Sequence, residues 1–307
     1  MTKPWDSTLS ADTASVLSFL RAACPDMEFR SFRHLGQGWD NTIYLADEEW
    51  IFRIARRTLA IPLIEAEIRI LPLLGPLLSI PIPALRHQGL FQEEYPFISY
   101  RILPGAIAAG LDLTDMERPS FLQPVTRFLN ELHAIPLTED IRQRVLPDQM
   151  GRVNIPKRTQ QIRSKIYVVR ELGMEFDNDL LEDLFRRLAT LSTQRPYTLV
   201  HGDLHARNVL IEDRSTLSGI IDWGDVHLGD PAKDMAFPLS FFNASAFGEF
   251  KEQYTLFDAD TFCLSTMAAI SNSCHLAEYA LDIKEEGQIR ECRTIFRNIQ
   301  ENYLAYK

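Results

Sequence analysis

One stretch, residues 199–225, constrains the fold of this chain more than any other part of its sequence. It reads L-V-H-G-D-L-H-A-R-N-V-L-I-E-D-R-S-T-L-S-G-I-I-D-W-G-D. Two short apolar runs, at 209–211 and 220–221, are bounded by polar residues or glycine, which is typical of buried strands. The stretch therefore predicts two buried strands with polar side chains at their edges, and these side chains are Asp203, Asn208 and Asp222.

The spacing of the three polar residues has a chemical interpretation. Asp203 and Asn208 are separated as Asp and Asn are in the protein-kinase catalytic loop H-R-D-x-x-x-x-N, and Asp222 begins D-W-G where kinases carry D-F-G. Phosphoryl transfer needs a carboxylate that orients the acceptor hydroxyl and takes its proton. It also needs oxygen ligands that hold Mg²⁺ on the nucleotide phosphates. Asp203 suits the first role, and Asn208 and Asp222 suit the second.

Taken singly, these residues have ordinary explanations, because Asp after Gly is common in turns and Asn is common in loops. The combination is specific. The runs H-G-D-L-H-A-R-N-V-L and I-I-D-W-G-D resemble the two diagnostic motifs of the aminoglycoside phosphotransferase family, relatives of protein kinases and choline kinases. The segment G-D-P-A-K-D-M-A at 229–236 resembles the one that follows them in the family, and the likeness is nearest to the 2''-type enzymes. With weaker motifs it runs from about Gly36 to Ala236.

The resemblance implies a protein-kinase-like α+β fold with two lobes. The smaller lobe, residues 1–104, would be a β-sheet that binds the nucleotide. The larger, mainly helical lobe, residues 105–307, would carry the catalytic loop and the acceptor-binding helices. The nucleotide would lie between the lobes and the acceptor beside Asp203, and Asp234 would stabilise the catalytic loop by hydrogen bonds.

A glycine-containing turn, G-Q-G-W-D-N, precedes two predicted strands at 42–46 and 50–55. Such a turn can lie over nucleotide phosphates, because no side chain blocks the approach to its backbone N–H groups. A plain hairpin turn has the same pattern. The resemblance assigns nucleotide binding to Gly36, Gly38 and Asn41.

The second of these strands carries Arg53 where family members have a basic residue that contacts the nucleotide phosphates. Protein kinases use Lys at this position, and Arg supplies the same charge on a planar fork. In the family, a Glu on the next helix pairs with the basic residue. The register favours Glu67, with Glu65 as the alternative, while Arg56 and Arg57 are expected to be solvated.

The run P-F-I-S-Y-R-I-L-P-G at 96–105 resembles the connection between the two lobes. In this register Tyr100 would be the gatekeeper, and the Arg101 carbonyl and the Leu103 N–H would face the nucleotide base. A bulky aromatic gatekeeper narrows the adenine site, and the resemblance therefore favours GTP over ATP. A tyrosine buried in a strand is also common.

Apolar residues at helical spacing predict further elements. The first helix, capped by Ser10, precedes Pro25, and the region 136–156 is expected to be an irregular surface loop. The helices are predicted over residues 10–23, 61–74, 118–133, 157–172, 179–194, 246–257, 259–283 and 285–306.

The C-terminal helices are rich in carboxylates. In the family such helices close one wall of the acceptor site, and an acidic wall suits a polycationic aminoglycoside. Acidic residues on helices are also ordinary features of soluble proteins. The candidate acceptor residues are Asp225, Glu249, Glu278 and Asp282.

Composition limits the partners of this chain. Its formal net charge of −10 argues against general nucleic-acid binding, which needs basic patches. The four cysteines have no metal-ligand spacing, and no run approaches the roughly 18 apolar residues of a membrane span. We expect a cytoplasmic monomer that does not bind membranes.

These features lead to one main hypothesis with two alternatives. The main one is a Mg²⁺-dependent kinase that uses GTP or ATP to phosphorylate a hydroxyl of an aminoglycoside, an antibiotic-resistance activity. The first alternative keeps the chemistry but takes a macrolide, choline-like alcohol, sugar or other metabolite; macrolide enzymes of the family tend to carry His where this chain has Asn208. The second is a kinase-like binding module without catalysis, which would have lost Asp203, Asn208 or Asp222. No A-P-E segment of a protein kinase follows Asp222.

Overall fold

The computed structural model describes Leu9 and residues 11–38, 40–192 and 194–307. They form two compact units. Unit 1 comprises the described residues up to Pro76, together with 81–103 and 222–225, and unit 2 comprises 77–80, 104–221 and 226–307. An antiparallel sheet dominates unit 1 and helices dominate unit 2, which confirms the α+β class.

The sheet of unit 1 has five strands in the order β1-β2-β3-β5-β4, and all of its neighbours are antiparallel. The interior strand β5, which lies between β3 and β4, is buried up to Tyr100, as its apolar sequence predicts. Two helices complete the core, one before β1 and one after β3 in the chain. Val16 of the first helix and Ile64 of the second are among the buried side chains. The elements are β1 (Phe32–Gln37), β2 (Asn41–Ala46), β3 (Trp50–Ala55), β4 (Leu85–Phe91), β5 (Tyr95–Arg101), α1 (Thr13–Ala23) and α2 (Ile61–Leu74).

The first helix begins later than its sequence pattern suggests. Asp12 is its N-cap, and the Asp12 carboxylate accepts a hydrogen bond from the Ser15 N–H at 2.7 Å. Ser10, the predicted cap, lies outside the described residues.

Unit 2 is built around two helices, α8 and α10, which pack against each other. Every residue of α8 is buried, as is most of the first half of α10. Among the helices in the described part of the chain, none is long and apolar enough to cross a membrane. The helices are α3 (Leu122–His133), α4 (Glu139–Arg144), α5 (Ile155–Lys165), α6 (Val168–Glu171), α7 (Asn178–Leu188), α8 (Ala232–Phe241), α9 (Ala244–Gln253), α10 (Ala259–Ile283) and α11 (Glu286–Tyr306).

One loop prediction and two helix predictions in unit 2 were wrong. The expected loop at 136–156 contains α4, because Thr138 caps this helix and acidic residues precede basic ones along it. The single helix predicted over 157–172 is two helices, α5 and α6. The helix predicted to reach residue 194 ends at Leu188, and the Ser192 N–H donates to the Asp260 carboxylate rather than to a carbonyl one turn earlier.

Short strands of unit 2 hold the segment that carries the motifs. β7 (Thr198–Val200) pairs with β10 (His227–Gly229), and β8 (Val209–Glu212) lies between β6 (Ala106–Ile107) and β9 (Thr216–Ile220). The two buried strands predicted from the apolar runs are therefore β8 and β9. The loop between β7 and β8 carries Asp203 and Asn208 at its two ends.

We expect Gly105→Ala to destabilise the protein by about 2–5 kcal/mol, the sum of left-handed backbone strain and overpacking. The φ of Gly105 is +96°, and an added Cβ would lie 2.5 Å from the Ser218 Oγ and 2.6 Å from the Ile211 carbonyl oxygen. Gly110→Ala is the matched control, since nothing lies within 4 Å of its Cβ position. Urea unfolding would measure both variants, and equal stability of the two would contradict the argument.

Candidate active site

The loop between β7 and β8 is fixed by one buried carboxylate, that of Asp234. Its Oδ2 accepts a hydrogen bond from the His201 N–H (2.7 Å), and its Oδ1 accepts one from the Gly202 N–H (2.9 Å). Gly202 has a φ of +83°, which glycine tolerates without strain. The His201 Nε2 lies 3.1 Å from the Ile221 carbonyl oxygen and ties the loop to the end of β9. The predicted structural role of Asp234 matches these bonds.

The Asp234 carboxylate is in turn held by His133, which also contacts Tyr254. The His133 Nε2 lies 3.2 Å from its Oδ2, and the His133 Nδ1 lies 2.7 Å from the Tyr254 hydroxyl. Burial works to raise the pKa of Asp234, but His133 and the loop N–H groups outweigh it and lower this pKa to about 2. The carboxylate that holds the loop is therefore ionised at neutral pH.

The carboxylate of Asp203 stands at the start of this loop with 38% of its side-chain surface exposed. Its Oδ2 is 3.3 Å from the His205 Nε2 and 3.4 Å from the Asn208 Nδ2. Burial works to raise the pKa of Asp203, but His205 and Lys233 lower it well below its usual range. An ionised, partly exposed carboxylate can orient a hydroxyl group and accept its proton.

Asn208 in unit 2 and Asp222 in unit 1 each have a side-chain oxygen that is suitable as a Mg²⁺ ligand. The Asn208 Nδ2 donates to the Asp203 carbonyl at 2.9 Å, which leaves the Asn208 amide oxygen for a cation. The Asp222 Oδ1 accepts from Arg53 while nearly half of the side chain is exposed, which leaves Oδ2. Mg²⁺ prefers hard oxygen ligands and takes only one or two carboxylates from a protein.

In unit 1, Arg53 joins two carboxylates. Its Nη1 donates to the Glu67 Oε2 at 2.9 Å and its Nη2 donates to the Asp222 Oδ1 at 2.8 Å. The predicted choice of Glu67 over Glu65 agrees with this contact, because Glu65 instead lies 3.8 Å from Arg69 on the same helix. Burial raises the pKa of Glu67, and the Arg53 guanidinium opposes that rise.

The turn before β2 leaves space beside its glycines as far as the described residues show. Among them, nothing lies within 4 Å of a Cβ added at Gly36 or Gly38, so packing against these residues does not explain the two glycines. Arg56 Nη1 donates to the Gly38 carbonyl at 2.9 Å, and the Asn41 amide oxygen can accept from Arg53 at 2.7 Å. Open space over a fixed backbone is what close approach of phosphates requires. Arg56 was wrongly expected to be solvated.

A second arginine at this turn was also misjudged. Arg57, expected to be solvated, is only 14% exposed and pairs with the Asp40 carboxylate. The pair fixes the chain on the far side of the turn. Two consecutive arginines after a strand carry no sequence signal that shows which of them forms an ion pair or a hydrogen bond in the fold.

The predicted base-binding segment lies at the end of β5. Tyr100 is buried, and its burial raises the pKa of the hydroxyl to about 12. The Arg101 side chain is exposed, pairs with Glu49 and lies over the Trp50 ring at 5.6 Å. Leu103 is the last residue of this stretch in unit 1. The side chain of Arg101 is thus occupied on the surface, and only its backbone is left for the predicted role.

The structure separates the predicted acceptor residues. Glu278 and Asp282 lie one turn apart near the end of α10, and Glu278 pairs with Lys165 of α5. Glu249 is on α9, where the neighbouring Phe247 packs against Phe262 in the first turn of α10. At 1.5 Å per residue, Phe262 and Glu278 are about 24 Å apart along the helix.

The remaining candidate, Asp225, belongs to unit 1. It lies in the short helical turn Trp223–Asp225, which packs against α2. Its charge contributes to raising the pKa of Glu67. Its assignment to the acceptor stays a prediction.

Unit 2 has a pocket beside the catalytic loop that no sequence signal indicated. Its one carboxylate is Glu291, whose two oxygens lie 3.1 and 2.5 Å from the Arg118 guanidinium. Arg118 and Glu291 are 173 positions apart, so no local pattern links them. The pocket is otherwise mostly apolar, and its lining includes Leu204, Ala206, Phe237, Ala269, Leu276 and Ile295.

His205 is the functional candidate that sequence reasoning missed. It lies in the H-G-D-L-H motif, where attention falls on His201 and Asp203. Its ring reaches the Asp203 carboxylate and also borders the pocket. A titratable ring two positions after a candidate base was the available signal.

The family model described as "Phosphotransferase enzyme family" matches residues 31–268. The uncharacterized protein YcbJ of Bacillus subtilis (strain 168) is 27% identical over 236 residues, which are 71% of this chain and 72% of that protein.

Two solved structures show the fold. The GDP complex of wild-type aminoglycoside 2'-phosphotransferase-IIIa has a TM-score of 0.72 at 22% identity, with 95% of this chain and 99% of that chain covered. The apoenzyme of macrolide 2'-phosphotransferase MphH from Brachybacterium faecium has a TM-score of 0.61 at 19% identity, with 92% and 97% covered. The expected kinase-like fold is confirmed.

Proposed function

Because this chain belongs to the phosphotransferase enzyme family and is a small-molecule kinase by that membership, we propose that it transfers the γ-phosphate of GTP or ATP to a hydroxyl group of a small molecule. The observation that carries the proposal is the Asp203 carboxylate, ionised and partly exposed on a loop that Asp234 holds by two backbone hydrogen bonds. A carboxylate that is held in place and ionised is suited to act as a general base.

The proposed reaction assigns a role to each group. The acceptor oxygen forms a bond to the γ-phosphorus, the bond to the bridging oxygen breaks, and the hydroxyl proton goes to Asp203. Arg53, fixed by Glu67, would position the phosphates. Asn208 and Asp222 would hold Mg²⁺, which when bound neutralises phosphate charge.

The first candidate acceptor is an aminoglycoside, and the favoured donor is GTP. The acceptor assignment is supported by the structural likeness to an aminoglycoside phosphotransferase. The donor assignment is supported by Tyr100, whose buried ring would narrow the space for adenine. Such an activity would confer antibiotic resistance.

The second candidate acceptor is an alcohol with an apolar body, such as a macrolide. The structural likeness to a macrolide phosphotransferase supports it, and the small pocket beside the loop between β7 and β8 offers mostly apolar side chains to one edge of such an acceptor. Its Glu291 is neutralised by Arg118, and Glu278 is already paired with Lys165. A polycation would find little unpaired negative charge at these two carboxylates.

The test is Mg²⁺-dependent turnover of GTP and ATP with kanamycin, gentamicin, erythromycin and choline as acceptors. We expect one acceptor to stimulate nucleotide turnover and GTP to exceed ATP. Asp203→Asn, run in parallel, gives the background rate. Equal turnover by this variant, or no transfer from either nucleotide to any acceptor, would contradict the proposal.

A further inference from the structure

The ring of His205 is oriented by the backbone of its own loop. Its Nδ1 lies 3.2 Å from the Arg207 backbone N, and that N–H donates to it. Because a backbone N–H can only donate, Nδ1 must carry a lone pair. The proton of the neutral imidazole therefore sits on Nε2.

The protonated nitrogen faces the candidate base. His205 Nε2 lies 3.3 Å from the Asp203 Oδ2, and the Asn208 Nδ2 approaches the same oxygen at 3.4 Å. Both contacts are long, as catalytic hydrogen bonds often are without bound substrates. Both fall on Oδ2, so the proton of an acceptor hydroxyl would go to the other oxygen, Oδ1.

This geometry excludes His205 as the base. Nδ1 is occupied by the Arg207 N–H and Nε2 already carries its proton, so the neutral ring has no lone pair for a hydroxyl proton. What remains is a donor aimed at the carboxylate. The ring is also only 17% exposed, which restricts its rotation.

We propose that His205 is a positioning residue, whose Nε2–H fixes the Asp203 carboxylate through Oδ2 and so presents Oδ1 to the acceptor hydroxyl. This rests on the proposed role of Asp203 as the base. His205 touches neither nucleotide nor the reacting phosphorus in this role.

The tautomer can be measured without any acceptor, by long-range ¹H–¹⁵N correlation spectra recorded at alkaline pH. We expect His205 to be protonated on Nε2. His275 is an internal control of opposite sign, because its Nδ1 must donate to the Ser271 carbonyl (2.8 Å) and its Nε2 faces the Gln161 amide nitrogen (2.7 Å). A His205 ring protonated on Nδ1 would overturn the proposal.

The same spectra test the contact with Asp203. In Asp203→Ala we expect the His205 Nε2–H signal to shift while the His275 signals stay in place. An unchanged His205 signal would show that the ring does not donate to this carboxylate. Because these measurements need no turnover, they decide the proposal even where the transfer reaction fails.

Kinetics with GTP and the acceptor probes kanamycin and erythromycin separate positioning from packing. His205→Phe keeps a ring without a donor, and we expect kcat to fall about 10- to 100-fold, the effect of misplacing a catalytic group by about 1 Å. The KM for GTP should stay within about threefold, and His205→Gln, which restores an N–H donor, should recover most of kcat. Equal losses in both variants, or wild-type kcat in His205→Phe, would contradict a positioning role.

Discussion

Replacement of Asp203 by Asn is expected to lower kcat by about 10²–10⁴-fold, the usual contribution of a general base. The substitution keeps the shape of the side chain but removes the charge that accepts the hydroxyl proton. In the native protein this charge is secured by His205 and Lys233, which lower the pKa of Asp203. Steady-state kinetics with the acceptor that gives turnover would measure the loss.

Nucleotide binding separates this effect from a damaged fold. Asp203 is proposed to act on the acceptor, so the affinity for GTP in calorimetric titration should change little in Asp203→Asn. Asp140→Asn provides a control for charge, because Asp140 is an exposed carboxylate on α4 that pairs only one turn along the helix, with Arg144. If Asp203→Asn kept near-native kcat, the base would have to be another group.

The sequence predicted the local structure around the candidate site best where the candidate residues lie close together in the chain. Asp203, Asn208 and Asp222 lie close in sequence, and the short apolar runs between them became β8 and β9. The choice of Glu67 came from the register of the family resemblance, and the structure places this glutamate toward the sheet. Glu67 is fully buried beside Arg53, whereas Glu65 pairs on the outer face of its helix.

The parts that sequence did not reveal depend on contacts between distant positions. His133 reaches Asp234 across 101 positions and Arg118 reaches Glu291 across 173, and nothing in the local pattern of either segment indicates its partner. The predicted end of the helix over 179–194 was wrong for a related reason. The Ser192 backbone N–H donates to the carboxylate of Asp260, which is 68 positions away.

The number of carboxylates in the sequence does not show which of them a ligand meets in the folded chain. The net charge of −10 and the carboxylates of the last helices suggested an acidic wall for a polycation. In the folded chain Glu278 is paired with Lys165 and Glu291 with Arg118, so these charges are already balanced. The sequence shows how many carboxylates the chain has. In the folded chain, a carboxylate with an ion-pair partner presents little net negative charge to a ligand.

Asp234→Ala is expected to lower the free energy of unfolding by about 2–6 kcal/mol, because two buried N–H groups lose their acceptor at about 1–3 kcal/mol each. These are the N–H groups of His201 and Gly202. The loss of both bonds also frees the loop that carries Asp203. We therefore expect urea unfolding at lower denaturant concentration together with a large fall in kcat at temperatures where the variant remains folded.

The pH dependence of stability gives the same residue a second signature. The pKa of Asp234 falls from 3.8 to about 2 on folding, so its contribution is present above the unfolded pKa and is lost as pH drops toward 2. This difference corresponds to about 2 kcal/mol. Asp234→Ala should therefore flatten the decline in stability between about pH 5 and pH 2 relative to the native protein.

A second buried carboxylate shows whether the activity loss is specific to the loop. Asp183 on α7 accepts hydrogen bonds from Arg187 and from the Tyr303 hydroxyl (2.9 Å), and it does not contact the catalytic loop. Asp183→Ala should lose stability but keep kcat wherever it is folded, because its bonds join α7 to α11 rather than to Asp203. If Asp234→Ala behaved in the same way, the loop would hold Asp203 in place without that carboxylate, and Asp234 would stabilise the fold alone.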